Sequence, residues 1–271
     1  MPLPDMHVHT SDSPDAEIPA RILVRRGREE GLSAIGFVAH LDMNPEDSCY
    51  DSFDPLGYEE SVEGARRESE NRITVMKGLE VGEPHRFQAR AKALADYSDY
   101  DFIVGALHHV EGAGLILGDE VFRNSEHLPI VEEYYRETLR MVETADMDVL
   151  AHMGLVRRGL AMAGLDHAFD EISLWPDLLR GILSALIQRE VALELNTSGL
   201  RRKEKTTYPT PRVIELYREM GGERITLGSD SHRDPHVFFG LAEGRMILLE
   251  KGFEKTFIYR AREPRPLPLF G

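Results

Sequence analysis

Seven short apolar runs recur along this 271-residue chain, and most of them end on a His, Asp or Glu. They are Asp5–His9, Ser33–His40, Thr74–Gly82, Asp101–His109, Asp148–His152, Val191–Asn196 and Arg224–Gly228. Runs of this length, bounded by polar turns, read as strands. The intervals carry helical spacing or helix punctuation. Ile18-Pro19 opens a helix that Gly31 stops, and residues 57–71 and 87–97 read as charged helices. Pro129–Ala145 is a further helix. Ser173 can cap one running to Arg189, with an apolar stripe at Trp175, Leu178, Leu179, Ile182, Leu183 and Leu186. Thr210-Pro211 starts another that Gly221-Gly222 ends, and a last one lies near Val237–Lys251. Strands alternating with helices imply a parallel sheet. Seven such units in about 250 residues suit a distorted TIM-like (β/α)7 barrel, a single domain over residues 1–271. A final strand is expected at Phe257–Arg260, with Pro264 to Gly271 as a surface tail.

A barrel gathers strand C-termini onto one rim, where the following loops build the active site. His7/His9, His40, Glu80, His108, His152 and Asp230/His232 all fall there. His7 and His9 alternate along their strand, so both point the same way, roughly 6.6 Å apart. Any one of these histidines alone would more often be a surface residue; their shared position at strand ends favours a metal centre. His85, His127, His167 and His236 sit in helical or loop contexts and read as surface. His109, one position past His108, faces the opposite way if the strand persists. Imidazoles and carboxylates without thiolates suit zinc, iron or manganese in a hydrolytic site. The ligands are too many for one ion and suit two or three. Glu80, the carboxylate ending its strand, is the expected bridge.

Composition narrows the partners. A net charge of -15 argues against a long nucleic-acid footprint. It leaves room for a small anionic substrate, because bound metal ions reverse the charge locally. The lone cysteine, Cys49, excludes an internal disulfide framework and a Cys-based zinc site. The start, Met1-Pro2-Leu3-Pro4, lacks the features of a signal peptide, and no apolar run approaches the ~20 residues that span a membrane. A cytoplasmic protein is expected, and a homo-oligomer is left open. The long polar stretch after His40 through Asp54 is a candidate active-site loop, and a second long loop with several glycines spans residues 110–128.

The ordered set of DxHxHT at residues 5–10, His40 after strand two, Gly78-Leu79-Glu80, His108, His152 and Gly228-Ser229-Asp230-Ser231-His232 resembles the polymerase and histidinol phosphatase (PHP) family. The resemblance covers nearly the whole chain and implies a distorted barrel of seven βα units with a trinuclear metal centre. Carried over by motif, His7, His9, Glu80 and Asp230 hold one metal. Glu80, His108 and His152 hold a second, and Asp15, His40 and His232 a third. Asp15 stands where many family members have His, and Ala39 replaces the Asp usual before the strand-two His, with Asp42 close by. Gly154 sits where the histidinol phosphatase branch often has Asp.

The segment Asn196-Thr197-Ser198-Gly199-Leu200-Arg201-Arg202, followed by Tyr208-Pro209, looks most like the histidinol-phosphate phosphatase branch. That implies a phosphoric monoester hydrolase of histidine biosynthesis acting on L-histidinol phosphate, a small phosphorylated metabolite. Arginine's planar fork suits phosphate oxygens, so Arg201, Arg157 and Arg158 are candidate phosphate contacts. A solvated charge run is the plainer reading of residues 201–205. A carboxylate such as Glu111 or Asp119 should meet the substrate amine. The expected chemistry is metal-assisted hydrolysis: coordination brings the pKa of water into the neutral range and hydroxide attacks phosphorus in line. Glu80, Asp230 and His232 are the expected catalytic residues. The rivals are a phosphoesterase acting on a nucleotide or other metabolite, and a non-catalytic metal-bound scaffold. A metal-dependent amidohydrolase is less favoured, because Lys77 lies inside its strand rather than at the end.

Overall fold

The computed structural model describes residues 2–123 and 126–270. Met1, residues 124 and 125 of the second long loop, and Gly271 of the expected tail lie outside the described residues. The strands, in chain order, are β1 (Pro4–Val8), β2 (Ala34–Leu41), β3 (Thr74–Gly82), β4 (Phe102–Ala106), β5 (His109–Val110), β6 (Gly114–Leu115), β7 (Val149–Leu150), β8 (Ala192–Asn196), β9 (Ile225–Gly228), β10 (Lys255–Arg260) and β11 (Glu263–Pro268). Seven of them form one parallel sheet in the order β1-β2-β3-β4-β7-β8-β9. Sequence order equals spatial order, so each crossover carries the chain to the next strand in one direction around the sheet, as in a (β/α) barrel. The register places His40 of β2 opposite Glu80 of β3, so two of the expected ligands lie side by side.

The sheet curls until β9 meets β1. The His9 amide donates to the Ser231 carbonyl (3.0 Å) and the Asp230 amide to the His7 carbonyl (2.8 Å). The Ser229 amide donates to the Asp5 carboxylate (2.9 Å). The seam of this nearly closed barrel is therefore made by the two segments richest in candidate ligands.

Two apolar clusters divide the core. The larger lies between strands and helices and includes Val8, Phe37, Leu79, Ile103, Tyr134, Leu183 and Ile214. The smaller fills the barrel and includes Met6, Val38, Met76, Phe102, Val104 and Val149, with Phe257 and Tyr259. Those last two residues belong to the antiparallel β10–β11 hairpin, whose Tyr259 hydroxyl donates to the Asp148 carbonyl (3.2 Å). The expected surface tail at Pro264–Pro268 is thus a strand. Pro264, Pro266 and Pro268 alternate, so their missing N–H groups fall on one edge, and Glu263, Arg265 and Leu267 are left to donate to β10.

Several element boundaries also differ from expectation. The segment after β7 that carries Arg157 and Arg158 is a helix, Val156–Ala163, rather than a loop. The helix expected from Ser173 begins at Pro176, a residue suited to the first turn, while the Ser173 hydroxyl donates to Asp170. Strand four stops at Ala106, before His108. No described helix is long and apolar enough to cross a membrane.

Candidate metal centre

All nine candidate ligands converge on the rim. His7 Nε2 lies 3.1 Å from His9 Nε2, and both lie near Glu80 Oε2, at 3.5 and 3.1 Å. Asp230 Oδ1 approaches the same two nitrogens at 3.9 and 3.8 Å. On the other side of Glu80, Oε1 faces His152 Nε2 (2.9 Å) and His108 Nε2 (3.5 Å). The Glu80 carboxylate thus has a different set of imidazoles on each oxygen, as a bridge requires. The Asp15 carboxylate reaches His232 Nε2 (3.1 Å) and His40 Nε2 (3.6 Å), and His9, His40 and His232 place ring nitrogens within 4.8 Å of one another.

This arrangement fits cations. Glu194 lies 2.8 Å from His7 Nδ1, which fixes the proton there and turns the Nε2 lone pair inward. Lone pairs of His7, His9 and Glu80 then face one another at close range, which is repulsive unless a positive charge sits among them. Buried Glu80 Oε2 has no hydrogen-bond partner among the described residues. Such an orphaned polar atom is costly unless an ion satisfies it. Cys49 Sγ stands at the margin beside Asp15 and His40, and in the metal-free chain burial pushes its thiol up to about 11.

The electrostatics of the metal-free cluster follow from its charges. Burial alone would lower the pKa of His7, but Glu194 and Glu80 outweigh it and hold the imidazole well above its ordinary value. His40 and His108 rise in the same way, against burial, through Glu80, Asp15 and Asp42. Burial would raise the Glu80 carboxyl, yet the His7 and His40 charges pull it well below the usual range. His9, buried and faced by His232 and His40, falls to about 3. The backbone is strained where it delivers two of the ligands: His152 has φ of 26° and Asp230 of 52°, left-handed values rare for these residues.

Several residues support the ligands; of these the sequence reading named Asp5 within its first motif and Asp42 beside His40 without a role, and missed Glu194. Glu194 accepts the His152 amide (2.8 Å) as well as facing His7, so one carboxylate orients two candidate ligands. A Cβ at Gly228 would collide with that carboxylate and with His7, which explains the glycine. Asp42 Oδ2 sits 3.1 Å from His40 Nδ1, and its Oδ1 3.8 Å from His108 Nδ1. Asp5 is a seam residue, accepting from the Ser229 and His7 amides, and burial raises its carboxyl to about 7. The available signal was a carboxylate near the end of an otherwise apolar strand, as in Val191-Ala192-Leu193-Glu194.

The histidines outside the set divide. His109 turns away from the ligands, with Nδ1 3.5 Å from Asp47 Oδ2. His85, expected on the surface, has a buried ring 3.4 Å from the wholly buried Glu137. His127, His167 and His236 are partly exposed and lie outside the ligand cluster.

The ligands floor a cavity of about 340 Å³. Arg158 and Arg202 also line it, and the buried Arg158 Nε has no hydrogen-bond partner among the described residues. Burial and the neighbouring Arg202 charge both lower the Arg158 pKa. The two guanidiniums face open space rather than a carboxylate. Arg157 differs from expectation: it is buried on Glu171 and the carbonyls of His167 and Phe169, and does not line the cavity. Arg201 donates to the Ser229 and Asp230 carbonyls (2.7 Å each) and borders an adjoining cavity of about 360 Å³ with Arg158 and Arg202. Glu111 is exposed, and Asp119 pairs with Arg123; neither lines the main cavity.

Comparison with known proteins agrees with this architecture. The chain is 26% identical over 252 residues to the histidinol-phosphatase of Lactococcus lactis, covering 93% of this chain and 92% of that one. It is 26% identical over 229 residues to a probable histidinol-phosphatase of Clostridium acetobutylicum, covering 84% and 86%. The crystal structure of the Lactococcus lactis histidinol phosphate phosphatase, complexed with zinc, L-histidinol and phosphate, superposes with a TM-score of 0.84 at 23% identity, over 97% of this chain and 98% of that one. The PHP domain model matches residues 5–198, a span that starts at the seam carboxylate and runs past Glu194. With seven parallel strands carrying the ligand set on their C-terminal rim, the chain belongs to the PHP domain family.

Proposed function

We propose that this protein is a metal-dependent phosphomonoesterase that hydrolyses L-histidinol phosphate to L-histidinol and phosphate. The observation that carries the reading is the cavity itself, a floor of converging imidazoles and carboxylates beside two arginines without a carboxylate partner. The names of the relatives supply the organic half of the substrate.

In this reading His7, His9, Glu80 and Asp230 would hold one divalent ion. Glu80, His108 and His152 would hold a second, and Asp15, His40 and His232 a third. When bound, such ions lower the pKa of water and offset charge on phosphoryl oxygens. Glu194 keeps His7 in the tautomer that presents Nε2 to the site. Arg158 and Arg202 clamp the phosphoryl oxygens with charge-assisted hydrogen bonds and neutralise the charge that develops on them. Arg201 acts behind them. Its grip on the Ser229 and Asp230 carbonyls fixes the Asp230 loop in its strained conformation. The buried floor excludes water from the ligand side, so these charges act in a weakly screened environment.

The test is phosphate release from L-histidinol phosphate by metal-replete protein, beside a panel of nucleotides and sugar phosphates. Selective turnover with kcat/KM of roughly 10⁴ M⁻¹s⁻¹ or more is the expected result. Release that is unselective and abolished by chelator would keep the hydrolase and reject the substrate. No release with metals verifiably bound would favour a scaffold.

A further inference from the structure

The cavity is lined by charges of both signs besides the ligand set. Arg158 and Arg202 are its cations. Asp47, Ser48 and Cys49 on the loop after β2 line it as well, with Leu115 and Leu117 near the β5–β6 hairpin. Outside the ligand set, Asp47 is the sole carboxylate lining this cavity among the described residues.

We infer that Asp47 receives the ammonium group of the substrate and so sets specificity for phosphate esters of amino alcohols. The inference rests on the proposed phosphatase reading and adds the group that selects among phosphomonoesters. Asp47 is held rigidly enough for the task. Its Oδ1 accepts the Cys49 amide (2.7 Å), and its Oδ2 lies 3.5 Å from His109 Nδ1. His109 is itself fixed from behind, because Glu83 Oε1 accepts the amides of His108 and His109 (2.7 and 2.9 Å).

Asp47 also lies near the chemistry. Asp42, Asp47 and His108 offer ligand atoms within 4.8 Å of one another, and Asp42 is engaged by His40 and His108 (3.1 and 3.8 Å), which leaves Asp47 as the carboxylate of this group that lines the cavity. An ammonium on Asp47 sits close to the scissile bond, since His108 also faces Glu80 at 3.5 Å. In an ester of a 2-amino alcohol the ammonium is two carbons from the ester oxygen, so it is held at this range. Phosphate on Arg158 and Arg202 and ammonium on Asp47 match the charges that line the cavity, and Leu115 and Leu117 supply apolar lining.

The experiment compares L-histidinol phosphate with its des-amino analogue, the phosphate ester of 3-(imidazol-4-yl)propanol. Wild-type protein and the Asp47→Asn variant are assayed on both, and metal content is measured for each. The asparagine keeps an oxygen for the Cys49 amide and removes the charge. The expected result is a wild-type preference for the amine-bearing ester that falls about 10- to 100-fold in the variant, with metal content unaltered. An unchanged preference, or its loss in Glu111→Gln instead, overturns the assignment. So does loss of a metal equivalent in Asp47→Asn, which would make Asp47 a ligand. If the wild type hydrolyses neither ester, the histidinol phosphate reading fails. The subsite is then read from O-phosphoethanolamine against ethyl phosphate: a preference that Asp47→Asn removes upholds it, and equal turnover overturns it.

Discussion

Glu194 touches no reacting atom in the proposed reaction, yet both its oxygens are spent on candidate ligands, the His7 ring and the His152 amide. Removing its charge should loosen the ions rather than block the chemistry. Glu194→Gln is expected to weaken metal binding about 10- to 100-fold, read by competition with a chromogenic chelator, while turnover recovers at saturating metal. Unaltered affinity would reject the orienting role. The arginines separate by a different criterion. Arg158→Ala and Arg202→Ala should raise KM if their contact is the same in ground and transition states, and lower kcat if it tightens in the transition state. Arg157→Ala should instead cost stability, because it strands Glu171 in the interior. At this scale the sequence was legible where a side chain ends a strand. His7, His40, Glu80, His108, His152 and Asp230 could each be placed on the rim from periodicity. Glu194, Asp42 and Asp47 could not. Their roles depend on which neighbour they face across strands or loops distant in sequence, and nothing local marks that.

At the scale of elements, the long apolar runs such as Thr74–Gly82 were legible because composition and length both favour a buried strand. The two-residue β7 and the β10–β11 hairpin were harder, for opposite reasons. β7 is held as a strand by its neighbours β4 and β8 rather than by its own length. In the hairpin, β10 was expected as a final strand, and only its partner β11 was hidden, by prolines that normally exclude a strand and are tolerated here because they alternate. The hairpin has a definite task. Phe257 and Tyr259 pack in the interior cluster, and Tyr259 stacks on Phe102 with ring centroids 6.4 Å apart. Arg262 then ties the hairpin to Asp146 and Asp148 beneath β7 (2.6 and 2.9 Å). Tyr259→Ala should therefore cost about 3 kcal/mol in chemical denaturation, the usual scale for truncating a buried aromatic. Turnover at a temperature where the variant is fully folded should be nearly unaffected, because the catalytic rim is at the other end of the strands. A loss of turnover equal to the loss of stability would mean that the two ends are coupled.

At the scale of the whole molecule, the seam of the barrel and the candidate metal centre are the same residues. His7, His9, Asp230 and their neighbours close β9 onto β1 through their backbones while their side chains face the ions. Metal binding should therefore govern global stability, and its pH dependence has a defined sign. In the metal-free chain, protons on His7, His40 and His108 compensate the buried carboxylates, and the pKa values of those imidazoles are raised. A raised imidazole stabilises fully below its unfolded value near 6.5, and that contribution is lost as pH climbs through the folded value. Glu80 and Asp230 have depressed pKa values, so their contribution is lost only as pH falls through the acidic range. Between about pH 6 and pH 8 the histidine effect therefore decides, and the metal-free protein should grow less stable as pH rises. The loaded protein has no such protons to lose, and its ions bind more tightly as proton competition fades. The gap in Tm between metal-loaded and chelator-stripped protein should widen across this interval, with proton release on metal uptake measured calorimetrically in buffers of different ionisation enthalpy. A gap that stays constant from pH 6 to pH 8, or uptake without proton release, would mean that protons do not occupy the metal positions in the stripped chain.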